Sequence, residues 1–131
     1  MQKIICIKTE KKQEMIDITK EVNRVIEGSN IAKGICSIYT QHTTSSIIIN
    51  ENYDSNVCDD ILAGLSELFD KKKWKHDAVD NNAAAHIKSA ILGCSVSIPI
   101  KDKKLQLGKW QQIMLVEFDG PRERSIVVTV A

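Results

Sequence analysis

Glycine and proline are scarce: the chain of 131 residues holds 6 glycines and 2 prolines. A collagen-like repeat or a flexible low-complexity tract is rich in both, so neither describes it. Aromatic residues make up 5%, too few for a platform on which nucleic-acid bases stack. An excess of one charge is also missing. Lys and Arg number 18 against 17 Asp and Glu, a formal net charge of +1. Bulk attraction to nucleic acid does not organise such a surface, and no nucleic-acid partner is expected. No apolar run approaches the roughly 18 residues of a membrane span, so no membrane partner is expected either. Met1 to Glu10 lacks the layout of a signal peptide, since its apolar stretch, Ile4 to Ile7, gives way at once to Lys and Glu. The expected localisation is cytoplasmic.

Several motifs are absent too. There is no G-x-x-x-x-G-K-[ST] and no G-x-G-x-x-G, which leaves a glycine-loop nucleotide site without support. The G-x-S-x-G elbow and H-E-x-x-H are missing. Cys6, Cys36, Cys58 and Cys94 form no C-x-x-C pair, which argues against a zinc ribbon or a thioredoxin-type motif. They read as reduced, mostly buried thiols.

What remains is the composition of a folded domain, with 43% hydrophobic and 27% charged residues. A chain of this size can bury about two-thirds of its extended surface and hold a core without a staple. One domain over residues 1–131 is expected. Gln2 to Thr9 reads as a strand that ends in the charged run Glu10 to Glu14. Asp17 can cap a helix whose stripe is Ile18, Val22, Val25 and Ile26 and which ends at Gly28-Ser29-Asn30. Gly34 to Thr40 and Ser45 to Asn50 read as strands. The three consecutive isoleucines of the second predict burial on both faces. Asp54 or Ser55 can cap a second helix with stripe Val57, Ile61, Leu65 and Leu68, and Lys71-Lys72-Lys73 complements its C-terminus. Asn81 or Asn82 starts a third helix, closed by Gly93. Cys94 to Lys101, Leu105 to Gly108, Trp110 to Phe118 and Ser125 to Ala131 read as strands, with Trp110 in the core and Asp119-Gly120-Pro121 as a tight turn. The order is not a strict βαβ alternation. It predicts an α+β domain with helices against an antiparallel or mixed sheet.

Polar residues collect at strand and helix ends. Gln41 to Ser46 joins two apolar strands and offers His42 with the hydroxyls of Thr43, Thr44, Ser45 and Ser46. These can hold an anion or satisfy their own turn. Asn50 to Asp54 follows the isoleucine strand. Asp54 has a duty as helix cap, which leaves Glu51 as the candidate general base or metal neighbour. His76 to His86 contains Asp80, Asn82 and an alanine run that keeps the third helix slim. His42, His76 and His86 are all the histidines of the chain. If they converge, they make a three-imidazole site with an open position, the pattern of catalytic zinc. Spacing does not show whether they converge. Arg122 and Arg124 follow the Asp-Gly-Pro turn two residues apart. On a strand start both would point the same way, and paired guanidinium groups suit a phosphate or carboxylate.

These segments together resemble a known family. His42-Thr43-Thr44-Ser45-Ser46, Asn50-Glu51-Asn52, Asn82-Ala83-Ala84-Ala85-His86-Ile87, Leu107-Gly108-Lys109-Trp110-Gln111 and Glu117-Phe118-Asp119-Gly120-Pro121-Arg122 are similar, in the same order, to motifs of the YjbQ-like family. That family often carries the label secondary thiamine-phosphate synthase. The resemblance implies sheets packed as a sandwich with flanking helices, and a homotrimer with sites near subunit boundaries. The family's recurrent histidines match His42, His76 and His86, its acidic and amide positions match Glu51, Asp80 and Asn82, and its arginine after the Asp-Gly-Pro turn matches Arg122. Lys109 stands where relatives often carry Thr, and Lys103 where they often carry Gly. The label implies a transferase that joins a pyrimidine diphosphate to a thiazole phosphate with loss of pyrophosphate.

The expectation is therefore a small-molecule enzyme acting on a phosphorylated metabolite, with a divalent metal such as zinc on the histidines. Glu51, Asp80 and Asn82 would serve the chemistry. Thr43, Thr44, Ser45, Lys109, Arg122 and Arg124 would hold the phosphate. A binding protein without turnover and a structural homotrimer are the alternatives.

Overall fold

The isoleucine strand explains the architecture. Ile47 is fully buried, and Ile49 packs with it against one core, while Ile48 packs against another. A strand covered on both faces requires layers on both sides. The computed structural model describes all 131 residues, and it supplies those layers.

The elements in order are β1 (Gln2–Lys8), β2 (Glu14–Asp17), α1 (Thr19–Ser29), β3 (Lys33–Thr40), β4 (Ser45–Asn50) and α2 (Ser55–Phe69). A single 3-10 turn (Lys75–Ala78), α3 (Ala83–Leu92), β5 (Ser95–Lys101), β6 (Lys104–Leu105), β7 (Gln112–Glu117) and β8 (Glu123–Val130) follow. A five-stranded sheet has the order β1-β8-β3-β5-β6, and a three-stranded sheet the order β2-β7-β4. Every pairing is antiparallel. The domain is α+β, a sandwich of two sheets flanked by helices.

The main core lies between the sheets. Ile38, Ile98, Ile126, Val128 and Val130 from one side meet Ile47, Ile113 and Leu115 from the other, with Val22, Val25 and Ile26 of α1 among them. Each such side chain contributes roughly 1.5–3 kcal/mol by leaving water. A smaller cluster of Ala85, Val116 and Phe118 packs α2 and α3, through Leu62, Leu65 and Leu92, onto the outer face of the three-stranded sheet.

Four details differ from the reading of the sequence. Nothing in the sequence announces β2, whose four residues carry charge at both ends; it pairs with β7 and positions Asp17. Asp17 is not the N-cap of α1, which is Ile18, although its Oδ1 accepts the Thr19 amide at 2.9 Å. Only Cys36 and Cys58 are buried. Alternation along β1 turns Ile5 and Ile7 inward and leaves Cys6 outside, and Cys94 is also exposed. Trp110 is 48% exposed rather than a core residue. Asp54 does cap α2, accepting the Asn56 amide at 2.9 Å.

Candidate functional site

One end of the sandwich gathers the end of β3, the start of β4, the end of β7, the start of β8 and the N-terminus of α3. The register shows why: Ser45 faces Glu117 across β4 and β7, and Thr40 faces Ile126 across β3 and β8. A cavity of about 710 Å³ opens there. Its lining is Gln41, His42, Thr43, Thr44, Asp80, Asn82, His86, Asp119, Arg122, Glu123 and Arg124, with no hydrophobic residue among them. A pocket so polar suits a small, highly polar ligand.

A buried ion pair forms the floor. Arg124 donates to both oxygens of Glu117, and both side chains are shielded from solvent. Its Nη2 also donates to the carbonyl and hydroxyl oxygens of Thr44, at 3.2 and 2.9 Å. Arg124 is thus a buried strut, while Arg122 is half-exposed. Burial by itself would raise the Glu117 carboxyl. Arg124, the Asp119 amide and the Thr9 hydroxyl outweigh it and hold Glu117 below the usual carboxylate range.

The rim is built on the Asp-Gly-Pro turn. Arg122 donates to Asp119 through Nε, to the carbonyl at 2.7 Å, and through Nη2, to Oδ2 at 2.8 Å. Asn82 donates to the same Oδ2 at 2.9 Å, which locks the start of α3 to the turn. The Oδ1 of Asn82 is buried and without a partner. Gly120 is required here: a Cβ would collide with the carbonyl oxygen of Lys11 and press on Glu117 and Thr9.

The histidines share this region without forming one cluster. His42 and His86 both line the polar cavity and an adjoining one of about 390 Å³, which Ser45 also lines. His76 lies beyond His86, in a further cavity with Trp74 and Ile87, and the two rings meet edge to face at 4.9 Å. Asp80 stands 3.6 Å from Nε2 of His76. Asp77 positions this histidine pair, accepting the amides of Trp74 at 2.8 Å and Ala83 at 3.1 Å, and these bonds hold its carboxyl below the usual range. Nε2 of His42 accepts the Ser125 amide at 3.0 Å. Burial, then the charges of Arg124 and Arg122, lower the His42 pKa against an opposing pull from Glu117.

The residues do not fit the three-histidine metal site within one chain. No group of three His, Cys, Asp or Glu side chains is arranged to hold a metal ion, and one ring nitrogen of His42 is already engaged. Glu51 and Lys109 do not line the cavity either. They lie beyond the opposite ends of β4 and β7, and a six-residue strand spans about 20 Å. At that far end Lys109, with its Nζ 5.0 Å from the Trp110 ring, joins Tyr53 and Asp17 around a small surface cleft. Gln41, Asp119 and Glu123 line the main cavity and were not singled out from the sequence. The polar turn motifs that contain or flank them were the only available signal.

The arrangement matches a family. The family model described as UPF0047 protein YjbQ-like matches residues 3–131. The chain belongs to the YjbQ-like family. It is 47% identical over 124 residues to a UPF0047 protein of Methanocaldococcus jannaschii, covering 95% of this chain and 89% of that one. It is 41% identical over 131 residues to the UPF0047 protein YugU of Bacillus subtilis, covering 98% and 97%. The fold is similar to the crystal structure of a YbjQ-like protein of unknown function from Sulfolobus solfataricus. That likeness has a TM-score of 0.96 and 39% identity over 99% of this chain and 95% of the other. No helix of this YjbQ-like chain is long and apolar enough to cross a membrane.

Proposed function

We propose that this YjbQ-like protein is a cytoplasmic small-molecule enzyme whose polar cavity takes a phosphorylated metabolite. The observation that carries this reading is the lining itself: two arginines, two imidazoles, two threonines and two amides, with the carboxylates of Asp80, Asp119 and Glu123, around a space with no apolar wall, Asp119 being paired with Arg122. Arg122 spends Nε and Nη2 on Asp119 and keeps Nη1 for a ligand. Arg124 spends Nε and Nη2 on Glu117 and Thr44 and keeps its other terminal nitrogen. With Thr43 these groups supply charge-assisted donors to a phosphate. Asp80 and His86, at the same cavity, supply acid–base capacity, which favours turnover over storage. The reaction class that the resemblance implies, a thiamine-phosphate synthase-like transfer, has the matching needs. A ring nitrogen of the thiazole phosphate attacks the carbon bearing the diphosphate, the carbon–oxygen bond breaks, and pyrophosphate leaves with the electron pair. The donors would bear the growing charge on that leaving group.

The functional unit under this reading is a homotrimer. The outer face of the five-stranded sheet supports it, since Ile4, Ile35 and Tyr39 stand exposed there. Sedimentation at micromolar concentration should give three times 14.7 kDa, and a monomer would refute the assembly. The site is tested by titration with inorganic phosphate and pyrophosphate. Arg122→Ala should weaken binding about ten- to hundredfold. Unchanged binding in that variant would overturn the reading. Absence of product from a pyrimidine diphosphate and a thiazole phosphate, with phosphate binding intact, would refute the transfer and leave a binding protein.

A further inference from the structure

The backbone beside His42 decides a matter that the residue type leaves open. β3 and β8 pair as far as Thr40 opposite Ile126. One step further, Gln41 would face Ser125. The chain leaves the sheet there, and the imidazole of His42 takes the place of the missing strand: the Ser125 amide donates to its Nε2 at 3.0 Å. A backbone N–H can only donate. Nε2 must therefore present its lone pair, and the neutral ring carries its proton on Nδ1. Protonation of both nitrogens would set one N–H against another at Ser125 and forfeit that bond. Nδ1 makes no hydrogen bond within the chain, and it is not among the buried atoms left without a partner. His42 lines both the polar cavity and the adjoining one.

We propose that His42 serves the site as a neutral hydrogen-bond donor through Nδ1–H, aimed at an anionic oxygen of the ligand, and not as a general base. The ring is held by the main chain of a central strand, so its donor is oriented before any ligand arrives. Preorganised donors of this kind stabilise developing negative charge without reorganisation. His42 also shares the cavity with Arg122 and Arg124, whose charges favour the uncharged ring. Acid–base work is then left to His86 and Asp80, neither of which is tied to the backbone in this way. The inference rests on the reading that the cavity takes a phosphorylated ligand.

The test is the two-bond proton–nitrogen correlation spectrum of the histidine rings in labelled protein at neutral pH, with and without inorganic phosphate. The expected result is a protonated Nδ1 and an unprotonated Nε2 on His42 in the free protein, with Nδ1 moving as phosphate saturates. A proton on Nε2, or on both nitrogens, would overturn the proposal. Phosphate shifts at the Arg122 guanidinium with none at His42 Nδ1 would overturn it and leave the pocket reading intact. No shift at either residue would overturn both. Two variants add an independent readout. His42→Asn keeps a donor at the Nδ1 position, and His42→Gln keeps an acceptor at the Nε2 position. The Asn variant should bind phosphate within about threefold of the parent and the Gln variant about tenfold more weakly. The reverse order, or equal loss in both, would count against the donor role.

Discussion

Arg124 donates through Nε to Oε2 of Glu117 at 2.8 Å, and the two side chains close the pocket end of the main core. They extend the inward rows that Leu115 and Ile126 begin, so the same alternation that builds the core delivers a charge pair at its edge. Because Arg124 also grips Thr44, the pair ties both sheets to the loop that carries His42.

Breaking this pair from one side should be costly. Glu117→Ala leaves a buried guanidinium unpaired, and a loss of about 3–5 kcal/mol is expected in urea unfolding. A loss under about 1 kcal/mol would show that water reaches Arg124 freely. The pair also has an acid signature. The folded pKa of Glu117 lies below 4.5, so its contribution is full above that pH and is lost as pH falls through the folded value. Glu117→Gln should flatten the acid side of the stability curve.

His42 contributes a pH dependence that starts higher. Its folded pKa lies below 6.5. As pH falls past 6.5, the unfolded chain takes up a proton and the folded chain does not yet do so. Stability is therefore full above that pH and declines below it until the folded ring protonates as well. Unfolding measured between pH 8 and pH 5, on the parent and on His42→Asn, should show this decline only in the parent.

The thiols divide by position. Cys6 and Cys94 are exposed, whereas Cys36 and Cys58 are buried. Burial pushes the Cys36 thiol up to about 11 and raises that of Cys58. Alkylation of native protein at neutral pH should modify Cys94 and spare Cys36 and Cys58, which react only after unfolding, while Cys6, on the sheet face assigned to the trimer contact, should react only in dissociated chains. Mass spectrometry after brief exposure reads this directly, and early labelling of Cys36 would contradict the packing of β3.

The sequence made the layers legible where pattern and layer agree. The stripe Val22, Val25, Ile26 announced a helix against the core, and the isoleucine run announced a strand covered twice. The polar turns were legible as sites because each interrupts an apolar strand. Partnership across space was not legible. Nothing in the spacing shows that Arg124 is spent on Glu117, or that the Ser125 amide takes Nε2 of His42, since both depend on strand register. Glu51 and Lys109 read like the other motif residues, yet a strand carries polar residues at both ends, and only one end of β4 and β7 opens on the cavity.

Lys88 is the other buried charge that the sequence hid. It sits on α3, two residues beyond the site-lining His86 and on the other side of the helix, and its side chain is 2% exposed. Its Nζ lies 2.7 Å from Asp70 at the end of α2 and donates to Gln13 Oε1, in the loop between β1 and β2, at 3.1 Å. One ammonium thus joins three segments that share no backbone pairing. Burial would raise the Asp70 carboxyl, but the bonds from Lys88 and Ser66 lower it below its usual value. Lys88→Met fills similar volume and removes the charge, leaving Asp70 able to turn to water. A loss of about 1–3 kcal/mol is expected in urea unfolding, with Asp70→Asn restoring part of it in the double variant. If α3 also aims His86, the edge-to-face contact with His76 should loosen in Lys88→Met, and the two ring resonances should move together. Full stability with unmoved histidine resonances would show that the helix is held by Ala85 and its apolar neighbours alone.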